Sequence, residues 1–411
     1  MYLHRHLEKK IIELSKYFKI LIIVGARQVG KSTLLQTMFP LAKQFVFDPV
    51  QDLYGTKKDP DLFLKQFKPP LILDEIQFAA ELLPSLKRFV DIQSNNGLYF
   101  LTGSHNLSLM KNVAESLAGR ACIIELDTMT YHEISNTTIT QNSTNFLKLL
   151  LIDPEKLITN KSTLLNNAPL YDVLWRGGFP ALTKFKNNYI ANFFKSYINT
   201  YVERDVRLQD HIADIKEFSR FFALLSALSA QEINYSQLGR EIGIVPNTAK
   251  KWCSILEQTY QYNSIQPYYG NSIKRISKKP KGYLNDTGMI CYLLKISSPA
   301  MLAGHPNLGA IFETYCIHLC KVLAKTLDLE PNFYHWRTNG GAEVDLILEQ
   351  DNQLIPIEFK CKTNVTKKDA SSIISFMATY SNCQYGAIIY AGDLIRKITE
   401  NIWLIPWNIR Y

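Results

Sequence analysis

The stretch "KILIIVGARQVGKSTLL" (Lys19–Leu35) decides the fold of the first part of the chain. Its beginning, Lys19–Val24, is a short apolar and β-branched run, which predicts a buried strand. The residues that follow match the pattern G-x-x-x-x-G-K-[ST], and a helical pattern then continues to Pro40, a residue type that ends helices. Strand, glycine-rich loop and helix in this order are the context of a phosphate-binding loop.

The loop predicts a nucleotide site with ATP and Mg²⁺ as its ligands. Glycines let the backbone wrap phosphates, and the N-terminus of the following helix favours negative charge. We expect Lys31 to reach the β- and γ-phosphates and the Ser32 hydroxyl to bind Mg²⁺. The predicted nucleotide-binding residues of this segment are Gly25, Ala26, Arg27, Gln28, Val29, Gly30, Lys31, Ser32 and Thr33.

The segment "PPLILDEIQ" supplies the second half of such a site, because two acids follow an apolar strand. Asp74 is predicted to bind Mg²⁺ through water, and Glu75 to orient or deprotonate the attacking water. In "LYFLTGSHN", Ser104 lies beside the phosphate loop and either senses the γ-phosphate or closes a strand-end turn. Strands at Phe45–Phe47, Leu98–Thr102 and Cys122–Leu126 alternate with helical stretches, which predicts a parallel sheet covered on both faces.

Length and composition set broad limits. A chain of 411 residues favours two to four domains. No apolar run reaches membrane-spanning length, the N-terminus has no signal-peptide core, and the seven cysteines show no paired spacing, which predicts a cytoplasmic protein with no membrane partner. The formal net charge of +9 favours a polyanionic partner such as DNA.

The middle of the chain predicts a helical lid followed by a winged helix. "INYSQLGREIGIVPNTAKKWCSILEQT" (Ile233–Thr259) is typical of a helix-turn-helix, with Lys250 and Lys251 on its outer face. A basic run downstream adds predicted phosphate contacts at Lys274, Arg275, Lys278, Lys279 and Lys281. The alternative, a winged helix that only packs and transmits motion, stays equally open.

The stretch "AEVDLILEQDNQLIPIEFK" (Ala342–Lys360) predicts a hairpin that turns at Asp351-Asn352. Asp345 then falls opposite Glu358, and Glu343 opposite Lys360, all on one face. Two carboxylates about 5 Å apart repel by roughly 3 kcal/mol at an effective dielectric near 20. Pro356 lies in the second strand, where proline usually marks a bulge that would shift this register by one residue.

Several motifs resemble the AAA-type ATPases of bacteria and archaea, in a branch whose C-terminal half was catalogued as a domain of unknown function. They include "GARQVGKSTLL", "LILDEIQ", "LTGSHNLSLM", "ESLAGR", "GGFP", "YVERDV" and "YLNDTGM". The resemblance covers nearly the whole chain. It implies that Arg120 is an arginine finger acting in trans across a subunit contact of a homo-oligomer; the alternative is a surface arginine that closes a helix.

From about Asn307 the order helix, three strands, helix, strand resembles the restriction-endonuclease-like PD-(D/E)xK fold. The resemblance implies that Asp345 and Glu358 bind Mg²⁺, that Lys360 activates water or stabilises the phosphate, and that Glu313 assists from the helix. The alternative is a hydrated hairpin with a Glu343–Lys360 ion pair.

These inferences predict an α/β protein with a P-loop parallel-sheet ATPase core (1–135), a helical lid (150–228), a winged helix-turn-helix (229–290) and a restriction-endonuclease-like α/β domain (300–411). The predicted function is ATP hydrolysis coupled to a metal-dependent, DNA-directed nuclease. The alternative is a nucleotide-dependent switch whose C-terminal domain is an inactive module that binds DNA or protein.

Overall fold

The computed structural model describes residues 2–103, 117–135, 145–159, 163–164, 169–202, 215–271, 275 and 278–410. The chain divides into two compact units, Met1–Met129 with Gln258–Tyr260, and Thr130–Glu257 with Gln261–Tyr411. Among the described residues, no helix has the length and apolar character needed to cross a bilayer.

The first unit contains a parallel sheet whose five described strands follow the order β2-β3-β4-β1-β5. All residues of the three central strands are buried, because helices cover both faces of a parallel sheet. The predicted parallel sheet is confirmed. The strands are β1 (Ile20–Val24), β2 (Lys43–Val46), β3 (Leu71–Asp74), β4 (Tyr99–Gly103) and β5 (Ala121–Glu125), and the helices are α1 (Glu8–Ser15), α2 (Lys31–Met38), α3 (Pro60–Gln66) and α4 (Leu82–Asp91).

The first half of the second unit is mostly helical, and further helices lie in its second half. Its helices are α5 (Tyr131–Ile134), α6 (Phe146–Ile152), α7 (Lys156–Thr159), α8 (Leu170–Arg176), α9 (Ile190–Tyr197), α10 (Ile215–Ala227), α11 (Tyr235–Ile242), α12 (Pro246–Gln258), α13 (Thr287–Leu293), α14 (Pro299–Ala303), α15 (Leu308–Ala324) and α16 (Ser371–Thr379). Gly243 follows the last residue of α11 and has a left-handed φ of 93°, and α12 begins after a short turn, so the predicted helix-turn-helix is present.

The strands of the second unit form one continuous sheet in the order β14-β15-β13-β12-β11-β10-β8-β9-β7 across the described residues. They are β7 (Gln231–Glu232), β8 (Tyr262–Pro267), β9 (Lys281–Leu284), β10 (Asn332–Arg337), β11 (Glu343–Gln350), β12 (Gln353–Lys360), β13 (Gly386–Tyr390), β14 (Arg396–Thr399) and β15 (Ile402–Pro406), while β6 (Thr163–Leu164) pairs separately with β16 (Ile409–Arg410). The predicted boundary between winged helix and C-terminal domain thus lies inside one sheet, and the four-domain division stays a prediction.

The hairpin of β11 and β12 has the predicted turn and register. Asp351 and Asn352 have left-handed φ values of 48° and 64°, as a two-residue turn of type I′ requires. Pro356 pairs with Ile347 with no shift of register, so the expected bulge is absent from this hairpin. The pairing ends with Leu346 opposite Ile357, and the same register extended by one residue would place Asp345 opposite Glu358, as predicted.

Two of the sequence motifs meet inside the second unit. Gly177 of "GGFP" has a left-handed φ of 75°, and Asp286 of "YLNDTGM" caps α13 by accepting from Met289 N at 2.9 Å. Asp286 also accepts a 2.7 Å hydrogen bond from Gly178 N. A Cβ atom on Gly177 would lie 2.3 Å from Asp286 Oδ1. Both motifs are therefore explained by packing and backbone hydrogen bonding.

We expect Gly177→Ala to lower the free energy of unfolding of the second unit by about 2–4 kcal/mol, since it combines a left-handed alanine with a disturbed buried hydrogen bond. Urea denaturation followed by circular dichroism measures this change. Gly304→Ala is the matched control, because Gly304 has a φ of –103° and no atom within 4 Å of an added Cβ. Equal unfolding midpoints for the two variants would refute the packing explanation.

Candidate functional site

The phosphate loop of the first unit has the backbone that its sequence predicts. Gly25 has a φ of 143° and Gly30 a φ of 95°, both in the left-handed region. A Cβ on Gly25 would lie 2.2 Å from the Leu126 carbonyl oxygen, so only glycine fits there. Gly30 directly precedes α2, whose N-terminus faces the loop and favours an anion.

Lys31 and Ser32 begin α2, and both side chains are held by neighbouring groups. Lys31 is 7% exposed, and its Nζ donates to the carbonyl oxygens of Gly25 at 2.9 Å and Ala26 at 2.8 Å. Ser32 Oγ donates to Asp74 Oδ1 at 2.9 Å. The structure thus brings the hydroxyl and the carboxylate that were predicted to share Mg²⁺ into contact, at the carboxyl end of the parallel sheet.

Asp74 ends β3, Glu75 follows it, and both are positioned by residues that the sequence motifs did not single out. Thr102 Oγ1 donates to Asp74 Oδ1 and accepts from Glu75 N at 3.1 Å. Gln44 Nε2 donates to Asp74 Oδ2 at 3.0 Å, and Gln77 donates to the Glu75 carboxylate. Ser104 lies outside the described residues, and Thr102, two residues earlier on the same strand end, makes the contacts to the acidic pair.

Arg5 also supports the phosphate loop, and no motif pointed to it. Its guanidinium is buried, and it donates to the Val29 carbonyl at 2.8 Å and to the Asp127 carbonyl at 2.6 Å. Two donors of one planar group therefore tie the loop to the chain after β5.

Arg120 lies at the opposite end of the sheet from the phosphate loop. It precedes β5, whose first residue Ala121 pairs in parallel with Ile20 at the start of β1, roughly 15 Å from the carboxyl end of a five-residue strand. Its guanidinium is paired with Asp91, with Nε–Oδ1 at 2.5 Å and Nη2–Oδ2 at 2.9 Å. Arg120 is therefore remote from its own nucleotide site, and an action in trans stays a prediction.

The predicted DNA-contacting residues of the second unit separate into two groups. The side chains of Lys250, Lys251, Lys278 and Lys279 are exposed, and Lys274 lies outside the described residues. The remaining two, Arg275 and Lys281, make contacts within the unit, and a role for them in DNA binding stays a prediction. Arg275 is half-buried, makes two 3.0 Å hydrogen bonds to Glu349 and covers the Tyr268 ring at 4.3 Å. Lys281 is 3% exposed, lies on a strand whose four residues are all buried, and contacts acids from α15 and β11.

Asp345 and Glu358 lie at the base of the hairpin and are 8% and 3% exposed. Asp345 Oδ2 accepts from Phe359 N at 3.0 Å, and Lys360 Nζ lies 2.6 Å from Glu358 Oε2. The alternative of a hydrated face is therefore wrong for these two acids.

The ammonium group of Lys281 contacts Asp345 and two further carboxylates. Its Nζ lies 2.7 Å from Glu313 Oε1, 2.8 Å from Glu343 Oε1 and 3.4 Å from Asp345 Oδ1. The expected Glu343–Lys360 pair is wrong, because Glu343 pairs with Lys281 and Lys360 pairs with Glu358. We call Glu313, Glu343, Asp345, Glu358, Lys281 and Lys360 the acid cluster. A lysine distant in sequence thus contacts the face on which the hairpin acids lie.

Burial and neighbouring charges shift the pKa values of several groups in the acid cluster. Burial and the neighbouring Asp345 raise the pKa of Glu358 to about 9. The same two causes raise the pKa of Glu313 to about 7. Burial alone would lower the pKa of Lys281, but Tyr283 and the surrounding carboxylates raise it well above its ordinary value, so this lysine is charged at neutral pH.

The acid cluster does not fit a metal ion in this arrangement. Within the described ranges, no group of three or more His, Cys, Asp and Glu side chains is placed to hold one. Three of the four carboxylates instead contact the same ammonium group, and the fourth contacts Lys360. The expected Mg²⁺ ligation by Asp345 and Glu358 is thus not supported by the donor geometry.

Three family models match the chain. Residues 17–135 match the family described as "AAA domain", residues 167–300 match "Domain of unknown function (DUF8612)", and residues 308–409 match "Domain of unknown function (DUF4143)". The first match covers the phosphate loop and the Asp74-Glu75 pair. The first unit is therefore a P-loop ATPase domain of the AAA type, and the protein is an ATPase.

Similar proteins extend over most of the chain. Uncharacterized proteins of Mycobacterium tuberculosis (strain H37Rv) and Mycobacterium bovis (strain AF2122/97) are each 26% identical over 391 residues, covering 94% of this chain and 80% of theirs. Among solved structures, a Walker-type ATPase of Pyrococcus abyssi is 16% identical and covers 71% of this chain and 96% of its own, with a TM-score of 0.42. The RuvB Holliday junction branch migration motor of Thermotoga maritima is 15% identical and covers 67% and 95%, with a TM-score of 0.31.

Proposed function

We propose that the protein is an ATP-driven switch in which ATP binding and hydrolysis by the first unit change the affinity of the second unit for DNA. The position of Lys281 is the observation that favours a binding module over a nuclease. Its ammonium contacts three of the four carboxylates that a nuclease-type site would need for its metal ion.

The contacts of the first unit support specific roles in hydrolysis. Lys31 exchanges its hydrogen bonds to the loop carbonyls for the β- and γ-phosphates, so its ammonium group is hydrogen-bonded both before and after ATP binds. Ser32 and Asp74 would hold Mg²⁺, which offsets phosphate charge when bound. Thr102 and Gln77 position Glu75 to orient the attacking water and take its proton.

The exposed lysines of the second unit support DNA as its partner. Lys250 and Lys251 lie on the outer face of α12, the second helix of the helix-turn-helix, where a recognition helix carries its contacts. Lys278 and Lys279 precede β9, and their side chains are also exposed. Such lysines attract the phosphate backbone without reading sequence.

We expect the double replacement Lys278→Gln and Lys279→Gln to weaken binding to duplex DNA and to reduce the slope of log affinity against log salt by about 0.9 for each phosphate that is no longer neutralised. Fluorescence anisotropy at several salt concentrations measures both quantities. Lys184→Gln, at an exposed lysine in another segment of the same unit, is the control. An unchanged affinity and slope in the double variant would exclude this segment as a DNA surface.

A second candidate function, a nuclease, is favoured by the position of Lys360 beside Glu358 and by the contact between the side chains of Asp345 and Glu358. Cleavage assays on single-stranded, duplex and branched DNA, with and without ATP and Mg²⁺, compare the two functions. The proposed switch predicts no cleavage by the wild type. Cleavage that Lys360→Ala abolishes would establish the nuclease and replace the binding module.

A further inference from the structure

The strand β9 contributes Lys281 to the acid cluster and places Tyr283 in contact with it, although β9 belongs to the predicted winged-helix segment. Lys281 and Tyr283 are two residues apart and therefore point to the same face. Tyr283 Oη donates to Glu313 Oε1 at 2.8 Å, next to the Lys281 contact with the same carboxylate oxygen at 2.7 Å. Strand pairing fixes Lys281 on both sides, opposite Glu232 on β7 and Ile265 on β8.

Lys281 occupies a buried site for a cation and does not form an ordinary surface ion pair. Its side chain is 3% exposed, and the acids come from two separate elements, Glu313 from α15 and Glu343 and Asp345 from β11. Exposed lysine pairs contribute little and exchange freely, whereas a buried ammonium must be matched by its neighbours. Three carboxylates converging on one buried cation is the arrangement that oxygen-ligated divalent ions also use.

We propose that the Lys281 ammonium takes the place of a divalent cation in the acid cluster, so that the wild-type second unit binds no Mg²⁺ or Mn²⁺ there and removal of this lysine creates a site for such an ion. The reason is both steric and electrostatic. An ammonium nitrogen within 3.4 Å of three carboxylates fills the space between them and offsets their charge. Lys360 adds a second positive charge beside Glu358. The inference goes beyond the proposed switch, and its test contains neither ATP nor DNA.

Isothermal titration calorimetry with Mn²⁺ and Mg²⁺ on nucleotide-free, chelator-treated protein tests the inference. We expect Lys281→Ala to bind one more Mn²⁺ per chain than the wild type, at least tenfold more tightly than any background binding, and to gain thermal stability from Mn²⁺ that the wild type does not gain. Lys184→Ala is the control and should behave like the wild type, because this exposed lysine of the same unit has no place in the acid cluster. Adding Asp345→Asn to Lys281→Ala should remove the new site.

Equal Mn²⁺ stoichiometry and affinity in the wild type and Lys281→Ala would overturn the proposal. Binding of Mn²⁺ by the wild type that is lost in Asp345→Asn would also overturn it. If Lys281→Ala does not fold alone, its refolding is compared in Mn²⁺ and in choline chloride at equal ionic strength, which separates specific ion binding from a general salt effect. Recovery with Mn²⁺ alone supports the proposal, and recovery with neither or with both contradicts it.

Discussion

Replacement of Glu75 by glutamine should lower the rate of ATP hydrolysis at saturating ATP by about 10²–10⁴-fold, the usual contribution of a general base. The amide keeps the size of the side chain but cannot accept the proton of the attacking water. ATP binding should be retained, since Lys31, Ser32 and the glycine loop are unchanged. Steady-state phosphate release gives the rate, and titration with a fluorescent ATP analogue gives the affinity.

Glu81→Gln is the control for Glu75→Gln, because it changes an exposed acid of the same unit. It should hydrolyse ATP at the wild-type rate. Lys31→Ala should lose affinity for ATP itself, whereas Glu75→Gln should lose only hydrolysis. If Glu75→Gln and the wild type turned over ATP equally, Glu75 would not be the residue that activates water.

Replacement of Lys281 by methionine should destabilise the second unit by about 3–5 kcal/mol at pH 8 in the presence of a chelator, because it leaves buried carboxylates without their cation. Methionine has a similar length, so packing changes little. Urea denaturation at fixed pH gives the free energy of unfolding. Lys279→Met, which alters an exposed lysine two residues away, should change it by less than about 0.5 kcal/mol.

The loss in Lys281→Met should depend on pH. Glu313 and Glu358 have pKa values raised from 4.5 to about 7 and about 9, so the folded unit binds protons that the unfolded chain releases, and its stability falls as pH rises through this window. Without Lys281, the pKa of Glu313 rises further, so the fall in stability extends to higher pH and its total size increases. The cost of the substitution should therefore be small below pH 4.5 and largest near pH 8. A cost independent of pH would show that packing, not charge, determines the role of Lys281.

Local patterns predicted the parts of the fold that depend on nearby residues. The strand before Gly25, the helix after Gly30 and the acids after β3 are all within a few residues of the motif that identified them. The register of the hairpin was also predictable, because a two-residue turn at Asp351-Asn352 fixes every pair in the two strands. Pro356 was compatible with its strand because regular pairing continues through it.

Contacts between distant segments could not be predicted in this way. Arg275 and Lys281 belong to a basic run that is typical of a DNA surface, and no local signal distinguishes them from Lys278 and Lys279. Their partners are distant in sequence: Glu349 lies 74 residues after Arg275, and Glu343 lies 62 residues after Lys281. Arg5 is similar: its partners are two backbone carbonyls, which no side-chain motif records.

The central claim is that the nucleotide state of the first unit sets the DNA affinity of the second. The direct measurement is the affinity of Glu75→Gln for one duplex DNA at fixed salt, with ATP, with ADP and without nucleotide. Glu75→Gln holds ATP without consuming it, so each state can be compared at equilibrium. Coupling between two sites typically amounts to a factor of about 5–150, and we expect the ATP and ADP states to differ by an amount in this range. Equal affinities in all three states would contradict the switch.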